Sequence, residues 1–186
     1  HGAPSRVKVL EPISRFGAPL YRRRAGNYSS AMMRMPLSGA LEVASTRSSA
    51  IAAVYREAAR KLLSRSISTL ARSMEDQRRE SGKELEALRS EFGSAIELDL
   101  DLADPDSLWG PIVPPAIEDA AALLTAMKRW ESEDFELLAA IAGAAIAETA
   151  LPASTDVAER VAALAEQARK RASWAQDHLD LLGISG

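Results

Sequence analysis

The chain has 186 residues, 47% of them apolar and 26% charged, with no cysteine and only two histidines. That apolar fraction suits one folded domain with its own core plus extensions, and the missing cysteines exclude disulfides, thiolate zinc sites, iron–sulfur clusters and cysteine nucleophiles. The net charge of −3 conceals a split: residues 1–74 hold 13 Lys/Arg against Glu11, Glu42 and Glu57, whereas residues 75–186 hold 10 against 23 Asp/Glu. An asymmetry of this size predicts an interaction role, because a basic segment seeks polyanions or acidic protein surfaces.

Residues 1–37 read as an extended basic arm. Pro4, Pro12, Pro19, Pro36, Gly2, Gly17, Gly26 and Gly39 interrupt any helical or strand pattern in and just beyond it. A segment that cannot bury a core of its own gains order against something else, so Arg15, Tyr21, Arg22, Arg23, Arg24 and Arg34 are the candidate partner-binding residues. A chain starting at His1 is either cut from a precursor or begins at an artificial start; with the first of these, the Arg/Ser-rich composition suggests an organellar compartment such as the mitochondrial matrix.

Residues 38–94 form the next segment. Ile51, Val54, Ala58, Leu62, Leu63, Ile67, Leu70 and Met74 recur at steps of three to four between arginines, which predicts a long basic amphipathic helix. The stretch 75–84 is wholly polar and includes Gly82; the reading preferred is one long helix with an exposed middle, the alternative a break there. Over 95–114 the period changes to two, with Ile96, Leu98, Leu100 and Leu102 alternating with acids, so an extended strand with no sheet of its own is expected, either a connector lying against the bundle or an addition to the sheet edge of another chain, followed by a rigid linker from Trp109 to Pro115. The acids at 99, 101, 104 and 106 do not make a calcium loop, since its sixth and twelfth positions would be Asp104 and Gly110.

Residues 115–183 predict an acidic helical hairpin. Its first arm is expected from Pro115 to Ala150 with a kink near Ser132, and its second from Asp156 to Gly183. The alanine-rich run 139–147, with Gly143 at its centre, predicts a tight helix crossing. The longest uncharged apolar run, Leu137 to Ala147, is about half the ~20 residues of a spanning helix, so no membrane span is expected. The fold class is therefore all-α: an antiparallel bundle of three to four helices with an extended basic N-terminal arm.

His1 and His178 are the only imidazoles, and neither a GxxxxGK[ST] nor a GxGxxG loop occurs, so nucleophile triads, histidine zinc sites and phosphate cradles lack their residues. No catalytic residue, metal site or cofactor is expected. The Ala/Glu/Arg texture of Ile141–Glu148 and Val157–Leu182 resembles the last two helices of ferritin-like bundles, whose metal site uses Glu-x-x-His on two helices. The residues before His178 read Ala175, Gln176, Asp177, so that resemblance implies a bundle that has lost its metal site. Leu20, Tyr21 and Arg22 resemble the tripeptide by which the Leu-Tyr-Arg family of small mitochondrial helical proteins engages partners.

Three functions follow. The first is a non-catalytic helical accessory or structural subunit, its arm threaded across other protein subunits of a larger assembly. The second is contact with RNA or DNA through Arg22, Arg23 and Arg24 beside Tyr21 and Tyr28, as in a ribosomal-type protein. The third is a carboxylate metal or redox bundle using Glu57, Glu148 and Glu166.

Overall fold

In a computed structural model of the chain, the helix expected over 38–94 divides at residues 62–64 into α1 (Leu37–Lys61) and α2 (Arg65–Phe92). The break falls well before the polar stretch 75–84. Leu62 leaves the helical region (φ −69°, ψ 130°) while its amide still donates to the Ala58 carbonyl at 3.0 Å, and Arg60 and Lys61 sit in the last turn, where cations complement the negative helix end. The stretch 75–84 stays helical, and its middle is not exposed: Glu75, Arg78 and Ser81 are buried.

The structure describes residues 21–23, 31–92, 96–104, 108, 110–117, 119–148 and 152–184. Two strands precede α1: β1 (Tyr21–Arg23) and β2 (Ala31–Pro36). The alternating segment 95–102 supplies β3 (Glu97–Leu102), buried at every second residue as its period of two requires. It is not a strand without a sheet. β2 pairs antiparallel with both others in the order β1-β2-β3, setting Met33 opposite Tyr21 on one side and opposite Leu100 on the other. The basic arm is thus partly built into the fold: Met33 is 1% exposed and packs with Leu98, Leu100 and Leu102 onto the helices. Pro36, which has no amide hydrogen to give a ladder, closes β2. The next amide, on Leu37, donates to the Ile96 carbonyl at 2.8 Å and so ties the start of α1 to the entry of β3.

The acidic hairpin consists of α3 (Ala120–Ala147) and α4 (Pro152–Leu181). α3 begins five residues later than Pro115, because Asp119 caps it, its carboxylate accepting from the Ala121 and Ala122 amides at 3.0 Å each. It passes Ser132 without a break; the Ser132 hydroxyl bonds back to the Lys128 carbonyl at 2.9 Å. α4 begins at Pro152, the first-turn position proline tolerates best, and not at Asp156.

Two apolar clusters show how the hairpins stack. One joins the start of α1 and the end of α2 to the end of α3, the start of α4 and the sheet; the other joins the end of α1 and the start of α2 to the start of α3 and the end of α4. Hence α1 and α4 run one way and α2 and α3 the other, so β3 and the start of α3 lie at opposite ends of the bundle. The result is an antiparallel four-helix bundle carrying a small sheet at one end.

Gly143 does not mediate the tight crossing expected of it. It faces solvent, and a Cβ built there meets nothing within 4 Å; Ala142 and Ala145 fill the interface. Gly143→Ala is therefore expected to stabilise the bundle by about 0.5–1 kcal/mol, read as a higher urea midpoint at unchanged slope.

Candidate functional site

Each of the four helices carries a charged residue on its inward stripe near mid-length, and the bundle brings these residues together between the two apolar clusters. Arg47 from α1, Arg78 from α2 and Arg171 from α4 converge on Glu131 and Asp134, one turn apart on α3. The side chains are 0–4% exposed. Glu131 accepts from Tyr55 Oη at 2.8 Å, Arg78 Nε at 2.9 Å and Arg171 Nε at 2.8 Å. Asp134 accepts from Arg47 Nε at 2.9 Å and from Arg78 Nη1. Arg47 also donates to Glu133 Oε2 at 2.9 Å and to the Leu108 carbonyl at 3.1 Å, fastening the crossover segment to the cluster. Trp130 packs beside it, its ring centroid 6.3 Å from that of Tyr55.

Three guanidiniums thus face three carboxylates, and desolvation is offset by pairing. Arg171 Nη1 is buried with no hydrogen-bond acceptor among the described residues. Burial pushes the Asp134 carboxyl up, but the Arg78 and Arg47 guanidiniums overcome this and hold it below the ordinary carboxylate range. Burial, reinforced by the Glu131 charge, raises the Tyr55 phenol well above its ordinary value of 10.0. What this arrangement does is align four helices; every carboxylate oxygen of Glu131 and Asp134 is already taken by a cation or the phenol.

The residues expected to bind partners are placed differently. Arg34 lies on β2, with its side chain 68% exposed, opposite Asp99 in register and 3.9 Å from Glu97. Tyr21, Arg22 and Arg23 form β1, at the sheet edge. Arg15 and Arg24 lie outside the described residues. Glu57, Glu148 and Glu166 do not converge: Glu57 pairs with Lys61 at 2.9 Å, Glu166 pairs with Arg169 at 2.7 Å, and Glu148 ends α3. Among the described residues no group of three or more His, Asp or Glu is arranged to hold a metal, and no helix is long and apolar enough to cross a membrane. A groove of about 510 Å³ between α1 and α2 presents Arg56, Arg79 and Lys83, yet Arg56 is held by Glu75 at 2.7 Å and Lys83 by Glu80 at 2.6 Å.

The central cluster was legible only as an anomaly. Arg78 continues the stripe Met74, Ser81, Leu85; Arg47 stands between Ala44 and Ile51; Arg171 stands between Ala168 and Ala175. At least one charge on the apolar face of every helix is the signal that could have found it. The cluster also places part of the charge asymmetry inside the fold, since Arg47 of the basic portion pairs with Glu133 and Asp134 of the acidic one. Comparison with family models, curated proteins and solved structures yields no match.

The two shifted groups give the stability a defined pH dependence. Tyr55 has a raised folded value, so its contribution is complete below the unfolded value near 10 and is lost as pH rises toward the folded one. Asp134 has a lowered folded value, so its contribution is complete above about 3.9 and is lost as pH falls through the folded one. Tyr55→Phe is expected to cost about 0.5–1.5 kcal/mol at pH 7 for the lost hydrogen bond. Above pH ~10 the gap in urea midpoint between variant and parent should close, because only the parent has that proton to lose. A gap constant from pH 9 to 12 would contradict the coupling.

Proposed function

We propose that this protein is a non-catalytic helical subunit of a larger assembly, a rigid brace whose bundle end docks on other chains. The observation that carries this reading is the end of the bundle where α1 turns into α2. Leu63 there is 102% exposed, and Leu181 and Leu182, at the end of α4, are 82% and 49% exposed. Their sequence neighbours Leu62, Leu179 and Ile184 pack on the same apolar cluster, so these leucines crown one end of the bundle. Large apolar side chains gathered on a charged surface mark contact sites more often than chance exposure. The cluster of arginines and carboxylates supports the brace: it consumes the polar groups that a catalytic bundle keeps open for substrate or metal.

The composition of residues 1–37 favours an organelle such as the mitochondrion as the site of that assembly, and β1 and Arg34 offer further contacts for it. The test is the native mass of the protein in gently lysed cells. A particle well above the 20.0 kDa of one chain is expected, shrinking on Leu63→Glu combined with Leu181→Glu; migration of the unaltered protein at 20.0 kDa would refute it.

One observation favours a second reading of origin. Two hairpins joined by a single long crossover is the connectivity of ferritin-like bundles, whose metal site lies at mid-bundle between carboxylates. Here guanidiniums occupy the centre, so this reading too is of a bundle without a working metal site. Purified protein carrying stoichiometric iron or manganese would overturn both readings.

A further inference from the structure

We propose that the leucine-crowned end of the bundle is self-complementary and that its occupant is a second copy of this chain, related by a two-fold axis. The inference rests on the docking reading above and names the partner. The end is divided electrically. The α1–α2 turn presents Arg60 and Arg65 beside Leu63, and the last turns of α4 present Asp177 and Asp180 beside Leu181. All these side chains are exposed, and Arg60, Arg65 and Asp177 have no ion-pair partner among the described residues.

Two of the charges also oppose their own helices. Arg65 stands at the positive start of α2, and Asp180 in the last turn of α4, at its negative end. Each is disfavoured where it stands, and each would be relieved by a charge of the other's sign. Placing a second copy end to end with a two-fold rotation does this twice, because an isologous interface pairs patch i with patch j and j with i. The basic lobe of one copy meets the acidic lobe of the other, and the leucines meet between them. Four helices spaced about 8–10 Å apart give an end roughly 20 Å across, so the interface falls at or below the ~1,200 Å² of standard complexes and the dimer should be of micromolar strength.

The experiment is sedimentation equilibrium of the full-length purified chain at concentrations from roughly 5 to 500 μM, bracketing that strength. The parent should rise toward twice 20.0 kDa and should dissociate more readily as salt is added. Arg60→Glu with Arg65→Glu makes both lobes acidic, and Asp177→Lys with Asp180→Lys makes both basic, so each variant alone should weaken association about tenfold or more. An equimolar mixture of the two should recover a dimer, now a heterodimer. Circular dichroism of each variant checks that the bundle is intact.

A parent that stays monomeric at the highest concentration overturns the proposal, as do reversed variants that dimerise like the parent or a mixture that stays monomeric. A monomeric purified chain whose native particle still exceeds 20.0 kDa would defeat the second copy alone and leave the subunit reading standing.

Discussion

Glu131→Gln should lower the melting temperature by about 6–20 °C. The glutamate side chain is 0% exposed and accepts from Tyr55, Arg78 and Arg171. Glutamine keeps the shape but removes one of the three charges that balance the guanidiniums. It also turns an NH₂ donor either toward guanidinium N–H groups, which can only donate, or toward the Tyr55 hydroxyl, which would have to reverse its hydrogen bond. Breaking one partner out of a buried ion cluster typically costs ~3–5 kcal/mol, and a chain of this length loses roughly 2–4 °C per kcal/mol. A melting point within about 2 °C of the parent would show that the cluster is hydrated or slack and does not organise the bundle.

The same physics makes an opposite prediction for wholesale replacement. Tyr55→Phe, Arg78→Met, Glu131→Leu and Arg171→Met together remove both sides of these contacts and leave Asp134 with Arg47. Substitution of buried ion clusters by apolar residues of similar volume is often neutral or stabilising, so the fourfold variant should melt near or above the parent. If the charges serve to fix how the hairpins mate, the cost should appear as lost near-ultraviolet circular dichroism or broadened amide spectra while helicity persists.

The periodicities were the readable part of this sequence. A stripe at steps of three to four, a stretch with a period of two and a proline-bounded acidic hairpin state the elements directly, because each is a local consequence of which face is buried. Where two elements meet is a different kind of information. The α1–α2 turn at Leu62 to Ser64 contains no glycine or proline, and Leu62 and Leu63 keep the helical spacing, so the local mark is Ser64 just before α2, a favoured helix-start residue but one in a run that also holds Ser66 and Ser68. The stretch 75–84 misled for the complementary reason: Arg78 sits on the inward stripe, and its burial depends on Glu131 and Asp134, more than fifty residues away. The partner of β3 was hidden for the same reason, since β2 precedes it by a whole helical hairpin. Long-range electrostatic and ladder partners are properties of the assembled chain, and a window along the sequence does not contain them.

Removing residues 1–36 tests that last point and should cripple the bundle. By composition this segment reads as dispensable for folding, an arm ordered only by neighbours. In the structure β2 pairs with β3 over six residues and buries Met33, 1% exposed, in a cluster that includes Leu41, Leu88 and Ile141 as well as the strand leucines. Without β2 the inner edge of β3 loses its hydrogen-bond partners, and Leu98, Leu100 and Leu102, all 0% exposed, lose the neighbour that covers them. Fully exposing one such side chain costs about 1.5–3 kcal/mol, so even partial exposure of three, added to the loss of Met33, removes much of a typical domain's ~5–15 kcal/mol. The truncated chain should therefore melt far below the parent or fail to fold. Met33→Ala in the full-length chain supplies the graded version, with an expected loss of ~2–5 kcal/mol in urea unfolding. A truncated chain with unchanged helicity and melting temperature would mean that β2 merely rests on the bundle, and the sheet would then belong to the contact surface and not to the core.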